Sequence, residues 1–217
     1  DDVYRMKLSS RFADGSFSGS APVTDFITDL KNITLKRELP ALFAEPEFSW
    51  KGNNYSLSLK LHNTMDLLSF VCPGVYISDN TSLSAKIDNK GGFSLGFKSP
   101  RVAYKEQYFK TLEAKMDNQE SHLSGEVNCE EIKIFTLKLI ENRLQIFAND
   151  NHIATGLTYD NESEILGSGE LIVHGDLQRS DKGVKMDVNL LPSTLNLNSR
   201  EWNILPSEIS ILGKEID

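Results

Sequence analysis

Residues 56–63 read Ser56-Leu57-Ser58-Leu59-Lys60-Leu61-His62-Asn63, and the pattern returns from Ser82, from Thr111 and, more loosely, from Thr136. The starts lie 26, 29 and 25 residues apart. Apolar residues at every second position predict strands with one apolar and one polar face. The Asn that closes the first three copies is typical of a turn. A period of this length is typical of stacked units that cannot bury their own faces alone.

If the strands stack in register, the apolar residues of the four copies share one face and their lysines (Lys60, Lys86, Lys115 and Lys138) share the other. The apolar set is our candidate lining of a binding surface: Leu57, Leu59, Leu61, Leu83, Ala85, Ile87, Leu112, Ala114, Met116, Leu137 and Leu139. The alternation alone does not separate an open groove from a filled β-core, because both place apolar residues on one face.

The remaining sequence predicts a mainly β fold, with repetitive antiparallel strands forming a curved, gutter-like sheet with an apolar interior and one or two short helices. A periodic strand array is favoured over a compact sandwich. We divide the chain into residues 1–47, a strand pair plus a helical segment, and residues 48–217, a repetitive sheet that continues the same unit. In the first part, the turn Ala13–Gly15 joins two strands, and residues 23–37 have helical spacing with acids early and bases late, as the helix dipole favours.

The second part opens with a predicted hairpin over residues 48–63, whose turn is Lys51–Asn54. A short helix is predicted at residues 64–71, before Pro73 and Gly74. Strands then follow one another too closely for intervening helices. In the last quarter they are predicted at residues 169–177, 184–191, 194–197, 203–205 and 209–212.

Composition narrows the class of function. With 39% apolar residues the chain can form a core, and its net charge of −8 argues against a nucleic-acid surface. No apolar stretch reaches the roughly 18 residues needed to cross a bilayer. The sequence shows no signal peptide, and we expect it to be an internal piece of a longer protein. Cys72 and Cys129 could pair, but their apolar neighbours favour two buried free thiols.

No catalytic or metal-binding motif is present, so we expect neither enzymatic activity nor a cofactor. The four histidines fall in different repeats, without the spacing that organises metal ligands. Most acids near glycine or asparagine suit turns. A carbohydrate-binding domain that stacks sugars on Trp50 and Trp202 is an alternative, although both are better explained as core residues.

The most specific motif lies near the end of the sequence. It reads Leu191-Pro192-Ser193-Thr194-Leu195-Asn196-Leu197-Asn198, followed by Arg200-Glu201-Trp202-Asn203-Ile204-Leu205-Pro206-Ser207-Glu208-Ile209-Ser210-Ile211. This motif resembles the strand followed by W-x-I-x-P-S-x-I-x-I in TamB-like (translocation and assembly module) and AsmA-like envelope proteins. Residues 12–19, 39–43, 68–73 and 157–161 are similar to interior segments of the same proteins, in the same order.

The resemblance implies a location and a function. Proteins of this family are anchored in the inner membrane of Gram-negative bacteria and extend through the periplasm as a long curved sheet with an apolar interior. That interior is thought to conduct phospholipid acyl chains to the outer membrane or to support outer-membrane biogenesis, with an Omp85-type partner of the full-length protein. The alternative is a closed β-scaffold in the envelope that binds proteins through its strand edges. The helix near residues 23–37 would interrupt a uniform gutter and plug or cap one edge.

Overall fold

The computed structural model describes residues 3–45, 47–118, 122–161, 167–181, 183–197 and 200–213. Within these ranges the chain is mainly β, with short helical segments, which confirms the predicted class. The strands are β1 (Tyr4–Ser9), β2 (Ala13–Gly19), β3 (Tyr55–Leu61), β4 (Val75–Ile77), β5 (Ser82–Ile87), β6 (Phe93–Tyr104), β7 (Gln107–Asp117), β8 (Leu123–Ile134), β9 (Leu137–Asn149), β10 (His152–Asp160), β11 (Ser168–Ser180), β12 (Gly183–Leu190), β13 (Ser193–Leu197), β14 (Arg200–Ile204) and β15 (Ser207–Gly213). The α-helices are α1 (Val23–Lys31) and α2 (Thr64–Val71).

The strands of the described residues form one antiparallel sheet that does not close into a barrel. Its order is β1-β2-β3-β5-β6-β7-β8-β9-β10-β11-β12-β15, with β4 on β6 and with β13 paired to β11 and β14. The copies of the repeat fall on β3, β5, β7 and β9. Because β6 and β8 lie between the last three copies, the repeat of 25 to 29 residues corresponds to a two-strand unit.

A helical segment lies across one margin of the sheet. It comprises α1, a π-helical turn (Asn32–Lys36) and a 3-10 turn (Pro40–Leu42), so the helix predicted at 23–37 is confirmed. Its beginning packs on β2 and β3, and the 3-10 turn contacts β11. From Val23 to Leu42 a helical path spans roughly 30 Å, whereas the eight strand spacings from β2 to β11 span about 38 Å in a flat sheet. The sheet therefore curves around the segment, and we call its concave side the inner face.

The central strands are interrupted at one level. Pro100, Thr111, Glu130 and Glu141 stand opposite one another on β6 to β9 without regular pairing. Thr111 and Glu141 have positive φ, 51° and 48°. The Lys110 ammonium and the Thr111 hydroxyl both contact the carboxylate of Glu130. The consecutive side chains of Lys110 and Thr111 therefore lie on the same side of the sheet. Beyond this level, the positions that face each side of the sheet are shifted by one residue along the strand.

Two predicted turns are wrong. The first hairpin turns at Ser10–Phe12, because the Ser10 hydroxyl accepts hydrogen bonds from the backbone N–H groups of Phe12 and Ala13. Gly15 lies inside β2, where a Cβ would be 3.0 Å from the Ser58 carbonyl oxygen.

The hairpin predicted over residues 48–63 is also absent, because only Tyr55–Leu61 forms a strand there. Residues 47–54 pass over the β5–β6 turn, where the Trp50 indole donates a hydrogen bond to the Asn89 carbonyl oxygen. This contact holds the segment against the turn rather than in a strand pair.

Candidate functional site: the apolar inner face

Two adjoining rows of residues run across eight strands on the inner face, and we call them the apolar floor. Strand registers place the members of each row opposite one another. The first row is Leu57, Ala85, Leu95, Met116, Gly125, Ile146, Thr155 and Val173. The second is Leu59, Leu83, Phe97, Ala114, Val127, Leu144, Leu157 and Leu171. No position in either row carries a charge.

The floor is incompletely covered, unlike a protein core. Apart from Ala85 and Gly125, which are buried, its residues are half-buried or, at Leu83, 36% exposed. The next row toward the helical segment differs, since Tyr55, Ile87 and Phe93 are at most 4% exposed. The helical segment therefore closes one margin of the inner face and leaves the floor accessible.

Polar contacts hold the helical segment on that margin. The buried carboxylate of Asp29 accepts hydrogen bonds from the Tyr55 hydroxyl at 2.6 Å and from the Asn53 amide at 2.8 Å. Burial, reinforced by the bond to Asp29, raises the pKa of Tyr55. At the other end of the segment, the Asn151 side chain accepts a bond from the Ala41 N–H at 2.7 Å. The segment is fixed at both ends.

Charged residues concentrate on the opposite, outer face. Glu113 pairs with Lys98 and Lys115 at 2.9 and 3.1 Å, and these ammonium groups lower its pKa. Glu126 accepts bonds from Asn128 and Arg143, which lower the pKa of its carboxyl in the same way. The two faces therefore differ sharply in polarity.

A buried polar row borders the floor at the level of the strand interruption. The hydroxyls of Thr81 and Ser99 bond each other at 2.7 Å. Further along lie Cys129 and Asn142, which are 3% and 4% exposed. The Asn142 amide donates bonds to the carbonyl oxygens of Cys129 and Leu139.

Beyond the polar row the alternation shifts phase, and apolar residues return to the inner face. Register aligns Ile77, Val102, Phe109, Ile132 and Leu139, all half-buried, and we call them the second apolar area. The inner face thus has two apolar parts separated by a polar row.

The predicted lining residues divide among these parts. Six lie in the floor: Leu57, Leu59, Leu83, Ala85, Ala114 and Met116. Ile87 is in the core under the helical segment, at 1% exposure. Leu61 and Leu112 lie level with the polar row, Leu139 lies in the second apolar area, and Leu137 lies beside it at the strand end.

The floor residues on β6, β8, β10 and β11 were not predicted, because the repeat marks only β3, β5, β7 and β9. Leu144 and Ile146 on β9 were not predicted either. The fourth copy is displaced along its strand, so that Asn142, not Leu137, lies level with Leu112. The alternation Leu144-Gln145-Ile146 carried a signal that could have found these residues.

Other candidate groups do not assemble into a site. Among the described residues no three His, Cys, Asp or Glu side chains are placed to hold a metal ion. His152 and His174 come together, with 5.6 Å between ring centroids, although they belong to different repeats. Trp50 lies at the β5–β6 turn and Trp202 lies on β14, so they do not share a stacking platform. Trp202 is 57% exposed, contrary to the core position expected.

Both cysteines are free, but Cys72 is exposed, so the prediction of a buried thiol is wrong there. It follows the last turn of α2, which leaves it outside the sheet. None of the helices in the described ranges is long and apolar enough to cross a bilayer. Comparison of the chain with protein-family profiles, curated proteins and solved structures finds no match.

Proposed function

We propose that the apolar floor binds the acyl chains of phospholipids and that the protein acts without catalysis. The observation that carries this proposal is the incomplete burial of two uncharged rows in the middle of a large sheet. In a filled core, residues so far from the sheet edges would be covered by a second layer. Here the core under the helical segment reaches the first row only at Leu57, Ala85, Leu95 and Met116, and it includes no residue of the second row.

The floor suits an acyl chain in chemistry and in extent. Each methylene removed from water contributes about 0.8 kcal/mol, and the floor offers no charged group that would have to be desolvated. Eight strands span about 33 Å, whereas one leaflet contributes half of a hydrocarbon core of about 30 Å. One acyl chain therefore fits along the rows.

The location follows from the TamB-like resemblance of residues 191–211. We place the chain in the periplasm, as part of a protein anchored in the inner membrane, where it conducts phospholipid between the two membranes or supports outer-membrane biogenesis. The curved, open sheet and the segregation of charge to the outer face support this assignment. An Omp85-type protein remains the expected partner of the full-length molecule.

The test is native mass spectrometry, with lipid extraction, of protein purified without detergent. Leu144→Asp places a carboxylate in the floor, whereas Gln145→Asp places the same charge on the exposed outer face of the same strand. We expect phospholipid on the wild type and on Gln145→Asp but not on Leu144→Asp, with all three folded by circular dichroism. Lipid-free wild type, or equal occupancy in both variants, would contradict the proposal.

A scaffold function is the second candidate, because within the described ranges β1 and β15 each pair with a neighbouring strand on one side only. Every residue of β1 and of β15 is exposed. Arg5 and Lys7 alternate with Met6 on β1, whereas Glu208 precedes Ile209 on β15, so the two edges are complementary in charge. Edge pairing predicts concentration-dependent assembly in analytical ultracentrifugation, which Met6→Lys would abolish. A monomer at every concentration would count against pairing between copies.

A further inference from the structure

The sheet margin opposite the helical segment carries exposed apolar side chains, and we call these residues the apolar margin. Phe70 and Val71 on α2 are 89% and 66% exposed, Tyr104 at the end of β6 is 50% exposed, and Phe135 and Leu137 at the β8–β9 turn are 77% and 43% exposed. They lie at one margin because β4, which follows α2, pairs with the end of β6, and the β6–β7 and β8–β9 turns end neighbouring strands. The margin adjoins the second apolar area.

The fold itself does not account for Phe135. This residue occupies a two-residue turn with φ of 53°, a conformation that favours Gly, Asn or Asp and strains a bulky side chain. At the opposite margin, the two-residue β9–β10 turn carries Asp150 and Asn151 at its positive-φ positions, with φ of 47° and 66°. An aromatic ring held in a strained turn and left in water indicates a partner outside the described chain.

The charged residues at this margin favour an anionic partner. Lys105 and Lys133 flank the margin, and within the described residues neither forms an ion pair. Glu106 is the opposing charge in the β6–β7 turn. Lys105, whose ammonium lies 5.1 Å from the centroid of the Tyr104 ring, and Lys133 leave this margin a surplus of one positive charge over Glu106. On a chain of net charge −8, cations beside exposed aromatic rings match the headgroups and outer acyl layer of an anionic bilayer.

We infer that the apolar margin docks on the surface of an anionic phospholipid bilayer, with Phe70, Tyr104 and Phe135 inserted between the headgroups. Docking would bring the second apolar area beside the acyl chains. Passage of lipid onward to the floor rests on the proposed function, whereas docking does not, so the two can fail separately.

The experiment is sedimentation of the protein with vesicles of phosphatidylcholine, with and without phosphatidylglycerol. Phe70→Ser combined with Phe135→Ser removes the two most exposed rings. The control combines Trp202→Ser with Leu205→Ser, which are 57% and 73% exposed on and beside β14. We expect wild type and control to bind the anionic vesicles alike. We expect the affinity of the margin variant to be lower by about tenfold or by more. Binding should also weaken as salt rises.

Three outcomes would overturn the inference: wild type that does not sediment, a margin variant that binds as well as wild type, or a control variant that is impaired equally. Native mass spectrometry of the margin variant reports lipid occupancy separately. A variant that keeps its lipid but loses vesicle binding supports docking. A wild type that binds vesicles while its interior carries no lipid retains the docking surface and contradicts the proposed function.

Discussion

The Cys129 thiol donates to the main-chain carbonyl oxygen of Lys110 at 3.2 Å, across the level at which the central strands lose their regular pairing. The same thiol lies 3.3 Å from the Glu131 carbonyl oxygen. Neighbouring strands use equivalent groups: the Ser99 hydroxyl donates to the Arg101 carbonyl oxygen, and the Asn161 side chain accepts from the Ile140 N–H. The buried polar row therefore satisfies backbone groups that the interruption removes from the sheet ladder.

This arrangement predicts different reactivities for the two thiols. Burial raises the pKa of Cys129, so at mildly alkaline pH less of it is thiolate than in an ordinary cysteine, and it is also shielded. We expect one rapid equivalent with a disulfide reagent from exposed Cys72, and a second only with denaturant. In Cys72→Ser the rapid phase should vanish. Rapid labelling of folded Cys72→Ser would show that Cys129 is accessible and contradict the assigned burial.

The Tyr55 hydroxyl gives a prediction about the helical segment. Tyr55→Phe leaves the Asp29 carboxylate, 5% exposed, with one fewer donor, and hydrogen bonds to charged groups contribute about 1.5–3 kcal/mol. We expect a loss of that order in the free energy of unfolding in urea. An unchanged free energy would show that the hydrogen bond contributes nothing.

The same tyrosine gives a pH dependence. Its pKa is raised in the fold, so its contribution is complete below about pH 10, the ordinary value, and is lost as pH rises through the folded pKa. Wild type should therefore lose stability in this alkaline range, and Tyr55→Phe should lose less. Parallel urea titrations at neutral and alkaline pH measure the difference.

Sequence alternation was sufficient for the four repeated strands and for six floor residues, because the period of two holds within each short stretch. It failed where register depends on turns. The fourth repeat begins at Thr136, in a turn that Phe135 enters with positive φ, so the copy is displaced relative to β7. No local pattern specifies that displacement.

The one-residue shift in the alternation of apolar and polar residues is visible in the sequence, although it was not predicted. Lys110-Thr111 and Glu130-Glu131 each place two polar residues in succession, and the apolar residues around them are three apart, as at Phe109 and Leu112. Two such steps on the neighbouring strands β7 and β8 indicate an interruption shared between them. The position of the helical segment on the sheet could not be predicted from local sequence patterns. Its hydrogen bonds to Tyr55 and Asn151 join residues that are far apart in the sequence.

Two isoleucines of the helical segment test whether it is anchored on the sheet by burial. The side chain of Ile33 is fully buried, whereas that of Ile27 is 65% exposed. Ile33→Ala should cost about 2–5 kcal/mol in the free energy of unfolding, and Ile27→Ala should change it by less than about 0.5 kcal/mol. Equal effects in chemical denaturation would mean that the segment is not anchored through Ile33.

Two strand glycines give opposite predictions, although neither has positive φ. A Cβ at Gly169 would lie 2.6 Å from the Tyr159 hydroxyl oxygen, which is itself held by the Asn196 carbonyl oxygen, so Gly169→Ala must displace a buried ring. A Cβ at Gly156 would meet nothing within 4 Å. Because glycine weakens a strand interior, Gly156→Ala should add roughly 0.5–1 kcal/mol, whereas Gly169→Ala should destabilise by about 1–3 kcal/mol. Thermal unfolding of both variants beside wild type measures the two signs. If Gly156→Ala were destabilising, a contact would have to exist on the outer face of β10 that this packing does not contain.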